Sequence, residues 1–68
     1  SYTSKLLNNK NLSVSKVKEE VAELIEAVEK NTNKIHESAD VIYHLLVYLE
    51  ANDIRIEDVM KELEKRKK

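Results

Sequence analysis

Residues 16–23 read KVKEEVAE and residues 37–40 read ESAD, and these two acidic segments decide the fold of the chain. Each segment places acids three residues apart within an otherwise apolar stretch, and residues three apart share one face of an α-helix. Two such helices, packed antiparallel, would bring four carboxylates into one pocket: Glu20, Glu23, Glu37 and Asp40. Desolvation and mutual repulsion both penalise such a group of anions. The pattern therefore predicts a bound hard dication, Mg2+ or Mn2+, because both ions take oxygen ligands.

Asparagine marks the boundaries between helices, because the sequence contains no Gly and no Pro. Asn tolerates left-handed backbone conformations better than most residues. It occurs in three groups: Asn8, Asn9 and Asn11, then Asn31 and Asn33, then Asn52. These groups divide the chain into four predicted helices, at residues 2–8, 13–30, 33–50 and 56–66. We therefore predict an all-α fold, an antiparallel bundle of about four helices, as a single domain over residues 1–68.

The second predicted helix is amphipathic. Ser13 is its candidate N-cap, and apolar residues fall on one face at helical spacing: Val14, Val17, Val21, Leu24, Ile25 and Val28. Lys16, Glu20 and Glu23 form a stripe beside that face. Glu19 points to the far side, and is predicted to be solvated or to face another subunit. Glu20 and Glu23 are therefore the better candidates for metal ligands.

The third predicted helix is apolar around most of its circumference, so we expect it to be buried on most sides. Glu37, Asp40 and His44 interrupt that surface in one line, with spacing i, i+3, i+7. Acids on a buried surface cost free energy unless something compensates them, which strengthens the prediction of a metal site. His44 is equally consistent with a structural hydrogen bond and with a substrate contact. His36 is predicted at the surface, whereas Tyr43 is compatible with either the surface or the core, with core packing favoured.

Composition limits the possible partners. A 68-residue chain without cysteine buries little surface and has no disulfide, so a metal or a partner chain must add stability. We expect a homodimer or a higher homo-oligomer. The 12 basic and 13 acidic residues nearly balance, which gives no reason to expect nucleic acid or an anionic membrane as the partner. No apolar run approaches the roughly 18 residues of a membrane span, and a cytoplasmic protein is the default expectation.

The spacing of the acids resembles the signature of the all-α nucleoside triphosphate pyrophosphohydrolases, the MazG-like superfamily. Within this superfamily, the chain is similar over nearly its whole length to the phosphoribosyl-ATP pyrophosphohydrolases of histidine biosynthesis. The stretches that carry the similarity are SYTSKLL at 1–7, KVKEEVAE at 16–23, ADVIYHLLV at 39–47 and IEDV at 56–59. The resemblance implies Mg2+-dependent hydrolysis of phosphoribosyl-ATP to phosphoribosyl-AMP and pyrophosphate, by subunits that pair into helical bundles.

The resemblance also implies roles for individual residues. The metal ligands would be Glu20, Glu23, Glu37 and Asp40, and the substrate phosphates would lie near Ser1, Tyr2, Thr3, Lys5 and Lys16. Two features depart from the family: Lys18 stands where Gly is frequent, and a further helix normally precedes the position of Ser1. We expect impaired activity if that helix is absent. Our hypothesis for the chemistry is that Glu20 orients the attacking water or accepts its proton.

Two other functions remain open at this point. One keeps the enzyme class and changes the nucleotide, which gives a MazG-like or dUTPase-like housecleaning hydrolase of dUTP or other non-standard triphosphates. The other is a non-catalytic helical dimerisation module whose acidic stripe binds a basic partner. Divalent ions would leave the melting temperature of such a module unchanged, whereas a true metal site stabilises the folded state by linkage.

Overall fold

Four α-helices form the fold in the computed structural model of the chain, which describes residues 1–67. The helices are α1 at Tyr2–Leu7, α2 at Lys10–Lys30, α3 at Lys34–Ala51 and α4 at Ile56–Lys65. No strand occurs between residues 1 and 67. The predicted all-α fold of about four helices is therefore confirmed. Lys68, which belongs to the predicted domain, lies outside the described residues.

Asparagine ends and restarts the long helices, as predicted. Asn31 closes α2 with φ 56° and ψ 47°, and Asn33 precedes α3 with φ 44° and ψ 31°. Both residues are in the left-handed region, which Asn enters at lower cost than most residues. The third boundary differs, because Asn52 stays at negative φ and the next residue, Asp53, takes φ 58°. Asp53 takes the left-handed conformation in place of Asn52, because Asp, like Asn, has a short polar side chain that makes this conformation accessible.

The start of α2 is earlier than predicted, and Ser13 is not its N-cap. Asn9 occupies that position, and its side-chain oxygen accepts the backbone N–H of Leu12 at 3.1 Å. Ser13 lies inside the helix and is almost completely buried. Asn and Ser are equally good N-caps, so local preference did not distinguish them. The small Ser13 side chain instead suits a tightly packed position.

The centre of the fold is a hairpin of α2 and α3, joined by residues 31–33, with α1 packed against both helices. Among residues 1–67, three apolar side chains are buried: Leu6, Ala27 and Val47. Three polar side chains are buried as well: Ser13, Glu20 and His44. Burial of Leu6 contributes roughly 1.5–3 kcal/mol. The small apolar core leaves the buried polar groups as a large share of the interior.

The prediction that α3 is buried on most sides is wrong for the single chain. Ile42 is 58% exposed, and Leu45 and Leu46 are also more than a third exposed. The reason is that α2 and α1 cover only part of α3, and α4 makes few contacts with the other helices. Met60 and Leu63 of α4 are likewise exposed. None of the helices within residues 1–67 is both long enough and apolar enough to cross a membrane.

Candidate active site

The four predicted acids form one continuous cluster between α2 and α3. Carboxylate oxygens of Glu20, Glu23 and Glu37 lie within 4.8 Å of one another. Asp40 offers an oxygen within the same distance of Glu37, so Glu37 connects the two parts of the cluster. The i, i+3 spacing within each helix places each pair on one face, and the hairpin brings the two faces together. A cavity of about 210 Å³ opens beside Glu23 and Glu37.

Two carboxylate oxygens in this cluster are buried and have no hydrogen-bond partner: Glu20 Oε2 and Glu37 Oε2. The whole Glu20 residue is only 7% exposed. An unpartnered buried carboxylate oxygen is costly, and two of them on facing helices need a shared positive partner. The donor set consists of oxygens, as hard divalent cations prefer. The residues present therefore fit a bound divalent cation.

The electrostatics of the cluster agree with its geometry. Burial raises the pKa of Glu20, and the hydrogen-bonding contact with Glu23 and the charges of Glu23 and Asp40 raise it further. Desolvation also raises the pKa of Glu37, followed by the charge of Glu23. Each effect disfavours the ionised form. A cation bound among these carboxylates would reverse the preference, because it favours the charged forms.

Lys16 is the basic side chain of the cluster. Its Nζ lies 3.6 Å from Glu20 Oε1 and donates a hydrogen bond to Glu19. The hydrogen bond that Lys16 donates to Glu19 is the main cause of the raised pKa of Lys16. Glu19 is exposed, as predicted. Its ion pair with Lys16 is a finding of the structure that the sequence pattern does not predict. The pairing leaves a fixed positive charge beside the acids on the α2 side.

His36 was assigned only to the surface by the sequence, and the structure adds a contact. It is exposed, and its Nε2 lies 3.3 Å from Asp40 Oδ2. This pair is ionic only when the imidazole is protonated. The i, i+4 spacing of His36 and Asp40 on one helix was the available signal, since such residues are neighbours on the helix surface. His36 therefore borders the acidic cluster on the α3 side.

His44 lies four residues after Asp40 on α3 and is 6% exposed. Burial lowers its pKa, and the charge of Lys16 lowers it further, so the imidazole is neutral at neutral pH. The rings of Tyr2 and Tyr43 both meet the imidazole edge to face, with centroids at 5.7 Å and 5.0 Å respectively. His44 thus contacts two aromatic rings and lies near the Lys16 ammonium group. The sequence pattern alone does not predict these neighbours.

The predicted substrate-binding residues of α1 are only partly brought together. The Tyr2 ring reaches His44, and Thr3 contacts the hydroxyl of Tyr43. The Ser1 hydroxyl bonds to Ser4 and caps α1. Lys5 is exposed, and its side chain forms no ion pair with any other side chain of residues 1–67. The structure therefore connects Tyr2 and Thr3 to the residues around His44, and shows no such contact for Lys5 within residues 1–67.

Facing acid pairs on two helices of an all-α fold, with a lysine and a histidine beside them, agree with the all-α nucleoside triphosphate pyrophosphohydrolase class. Comparison with known proteins identifies one family within this class. The model of the phosphoribosyl-ATP pyrophosphohydrolase family matches residues 1–67, and the chain belongs to that family of hydrolases.

Individual relatives support the same assignment. The chain is 46% identical over 69 residues to a phosphoribosyl-ATP pyrophosphatase of Allorhizobium ampelinum and 42% identical over 72 residues to one of Methanococcoides burtonii. These alignments cover 97% and 98% of the chain, and 66% and 73% of the two relatives. The chain is also 46% identical to a histidine biosynthesis bifunctional protein HisIE of Pyrococcus furiosus, covering 32% of that protein. No solved structure matches the chain.

Proposed function

We propose that this chain hydrolyses phosphoribosyl-ATP to phosphoribosyl-AMP and pyrophosphate, a step of histidine biosynthesis, with Mg2+ as the required ion. Membership of the phosphoribosyl-ATP pyrophosphohydrolase family supports the substrate and the reaction. The observation that carries the proposal is the pair of buried carboxylate oxygens without hydrogen-bond partners, on Glu20 and Glu37. They lie on facing helices, where a divalent cation would satisfy both.

The metal ligands in this proposal are Glu20, Glu23, Glu37 and Asp40. Their oxygens suit Mg2+, and Mn2+ is an acceptable substitute because it also takes oxygen ligands. When bound, the ion supplies neutralisation of charge on the phosphate oxygens and lowers the pKa of a coordinated water. Hydrolysis between the α and β phosphates needs both effects.

Glu20 is our candidate for the residue that orients the attacking water and accepts its proton. Its two oxygens have different surroundings: Oε1 lies 3.6 Å from Lys16 Nζ, whereas Oε2 is buried without a partner. A carboxylate with one oxygen free of the metal can hold water by a hydrogen bond. The water oxygen forms the new P–O bond, the bridging P–O bond breaks, and pyrophosphate leaves with its electron pair.

The substrate side of the site is formed by Lys16, His44 and the segment Ser1–Thr3. Lys16 already lies beside the acids, so its ammonium group can pair with a phosphate oxygen. Neutral His44 can donate or accept a hydrogen bond. Lys5 stays a predicted phosphate contact, although its side chain is directed to solvent in this chain.

A second copy of the chain is the proposed partner. Each of the four helices has an apolar side chain that is more than a third exposed, and this set includes Leu7, Ile25, Ile42, Leu46 and Met60. Exposed apolar surface of this extent, on a domain with three buried apolar side chains, favours association with another copy. The cytoplasmic location expected from the sequence stays a prediction.

Pyrophosphate release from phosphoribosyl-ATP, measured with excess MgCl2 and with excess EDTA, tests the proposed reaction. We expect release in MgCl2 only. Glu20→Gln and Asp40→Asn should each abolish it, because each removes a charged ligand from the cluster. Glu29→Gln, the same chemical change at an exposed position of α2, should retain wild-type turnover. Wild-type rates in Glu20→Gln and Asp40→Asn would contradict the site assignment.

The identity of the nucleotide needs a separate measurement. Rates with phosphoribosyl-ATP, dUTP and dCTP should favour phosphoribosyl-ATP if the family relationship sets the substrate. Faster hydrolysis of dUTP or dCTP would instead favour the housecleaning function. A chain that hydrolyses none of these, and whose melting temperature does not respond to Mg2+ or Mn2+, would be a non-catalytic helical module.

A further inference from the structure

Tyr43, for which the sequence favours core packing, is instead 40% exposed. It makes a contact between distant parts of the chain. Its hydroxyl lies 2.5 Å from Thr3 Oγ1, across 40 positions of sequence, and either group can be the donor. The other side-chain hydrogen bonds within residues 1–67 join residues no more than four positions apart. The Tyr43–Thr3 bond therefore ties the first turn of α1 to the middle of α3.

Apart from the contact of the Tyr2 ring with His44, this bond holds the first turn of α1, because the buried apolar anchor of the helix lies at its other end. Leu6 is fully buried and holds the last turn of α1. Tyr2 is 47% exposed, and the Ser1 hydroxyl bonds to Ser4 within the same short segment. Helix ends open at low free-energy cost. Without the Tyr43 hydroxyl, the first turn would lose its hydrogen bond to the rest of the fold.

The ring of Tyr43 has a second role, because it packs against His44. The two ring planes are 76° apart, and the Tyr2 ring meets the same imidazole at 88°. Tyr43 therefore supports the histidine with its ring, and holds with its hydroxyl the segment that carries Tyr2. The charge of Lys16 lowers the pKa of His44, and Tyr2 contributes to the raised pKa of Lys16, so these two rings lie near Lys16.

We propose that Tyr43 is a positioning residue for substrate binding, whose hydroxyl fixes the Ser1–Thr3 segment beside Lys16 and His44. This inference rests on the proposed function, in which that segment binds phosphoribosyl-ATP. Within residues 1–67 the Tyr43 hydroxyl hydrogen-bonds to none of the four acids. It therefore acts on the placement of the substrate rather than on bond cleavage, and its loss should weaken binding without slowing turnover.

Steady-state kinetics of Tyr43→Phe, Thr3→Val and the double variant test the proposal. A hydrogen bond of ordinary net strength corresponds to roughly a two- to ten-fold change in an equilibrium constant. Each single variant should raise KM for phosphoribosyl-ATP by about that factor with kcat within two-fold of wild type. The double variant should be no worse than either single one, because both remove the same bond. Tyr48→Phe removes a hydroxyl from the same helix and should leave both constants unchanged.

Three kinetic results would overturn the proposal: an unchanged KM in Tyr43→Phe, a fall in kcat alone, or additive effects of the two single variants. Hydrogen exchange provides a readout that does not need activity. Amides of α1 should exchange about two- to ten-fold faster in Tyr43→Phe and at the wild-type rate in Tyr48→Phe. Unchanged α1 exchange in Tyr43→Phe would overturn the positioning role. A wild-type chain that releases no pyrophosphate would instead refute the proposed function.

Discussion

Glu20→Gln should have opposite effects on stability with and without divalent ions. The substitution preserves the shape of a residue that is 7% exposed and removes its negative charge. The carboxylates of Glu23 and Glu37 lie within 4.8 Å, and Glu20 Oε2 has no hydrogen-bond partner. In EDTA, the Gln amide would relieve the repulsion and could donate a hydrogen bond to a neighbouring carboxylate. We therefore expect the variant to be more stable than wild type when no metal is present.

The size of this effect follows from the separation of the charges. At 4.8 Å, the upper limit of the separation between these carboxylate oxygens, two negative charges repel by about 3.5 kcal/mol at an effective dielectric constant of 20 and by about 0.9 kcal/mol in bulk water. Glu23 is exposed, so solvent screens the pair, and we expect a gain of about 1–2 kcal/mol. For a domain of this size, that gain raises the melting temperature by roughly 4–16 °C.

Saturating MgCl2 should reverse the order of stability. An ion at one hundred times its dissociation constant stabilises the folded state by about 2.7 kcal/mol, and Glu20→Gln removes a charged ligand from the site. Wild type should then melt above the variant. The assay is thermal unfolding followed by circular dichroism in EDTA and in MgCl2. Glu29→Gln, an exposed change on α2, should behave as wild type in both. Equal responses of wild type and Glu20→Gln to Mg2+ would refute the reasoning.

Three further predictions concern the rest of the fold. In EDTA, the free energy of unfolding should fall as the pH rises above 4.5, the ordinary pKa of Glu. The pKa values of Glu20 and Glu37 are raised in the folded state, so the unfolded state releases these protons at lower pH. A free energy of unfolding that rises with pH in this range would contradict the prediction. Asn31→Ala should lower the free energy of unfolding by about 1 kcal/mol, because Ala enters the left-handed region, where φ of residue 31 is 56°, less readily than Asn does. An unchanged melting temperature would argue against this backbone preference. Ile42→Asp should convert the oligomer to a monomer, which light scattering would detect as a fall in molar mass. A wild-type chain that is itself monomeric would contradict the proposed partner.

Several features of the site follow from the sequence because they depend only on helix geometry. Residues three apart share a face wherever a helix forms, so Glu20 with Glu23, and Glu37 with Asp40, could be paired in advance. The asparagines at 31 and 33 could be assigned to a turn because their backbone preference is a property of the residue. These inferences needed no knowledge of which helices pack together.

Other features depend on contacts between elements distant in the chain, and the local pattern contains no information about them. The bond from Tyr43 to Thr3 spans 40 positions. The apolar face of α3 reads as buried, yet Ile42 and Leu46 are exposed in the single chain, since α2 and α1 cover only one side.

The helical class of this protein and the pairing of acids within each helix can be read from the amino-acid pattern, because side chains on one face repeat with the 3.6-residue period of a helix. Its turn residues can be read as well, because their backbone preference is a property of the residue. How near the two pairs approach one another, that Asn9 rather than Ser13 caps α2, and that Tyr43 hydrogen-bonds to Thr3 follow only from the packing of the helices. The physical reason is that these outcomes depend on packing between helices, where alternatives of nearly equal local free energy are separated by burial and by long-range hydrogen bonds.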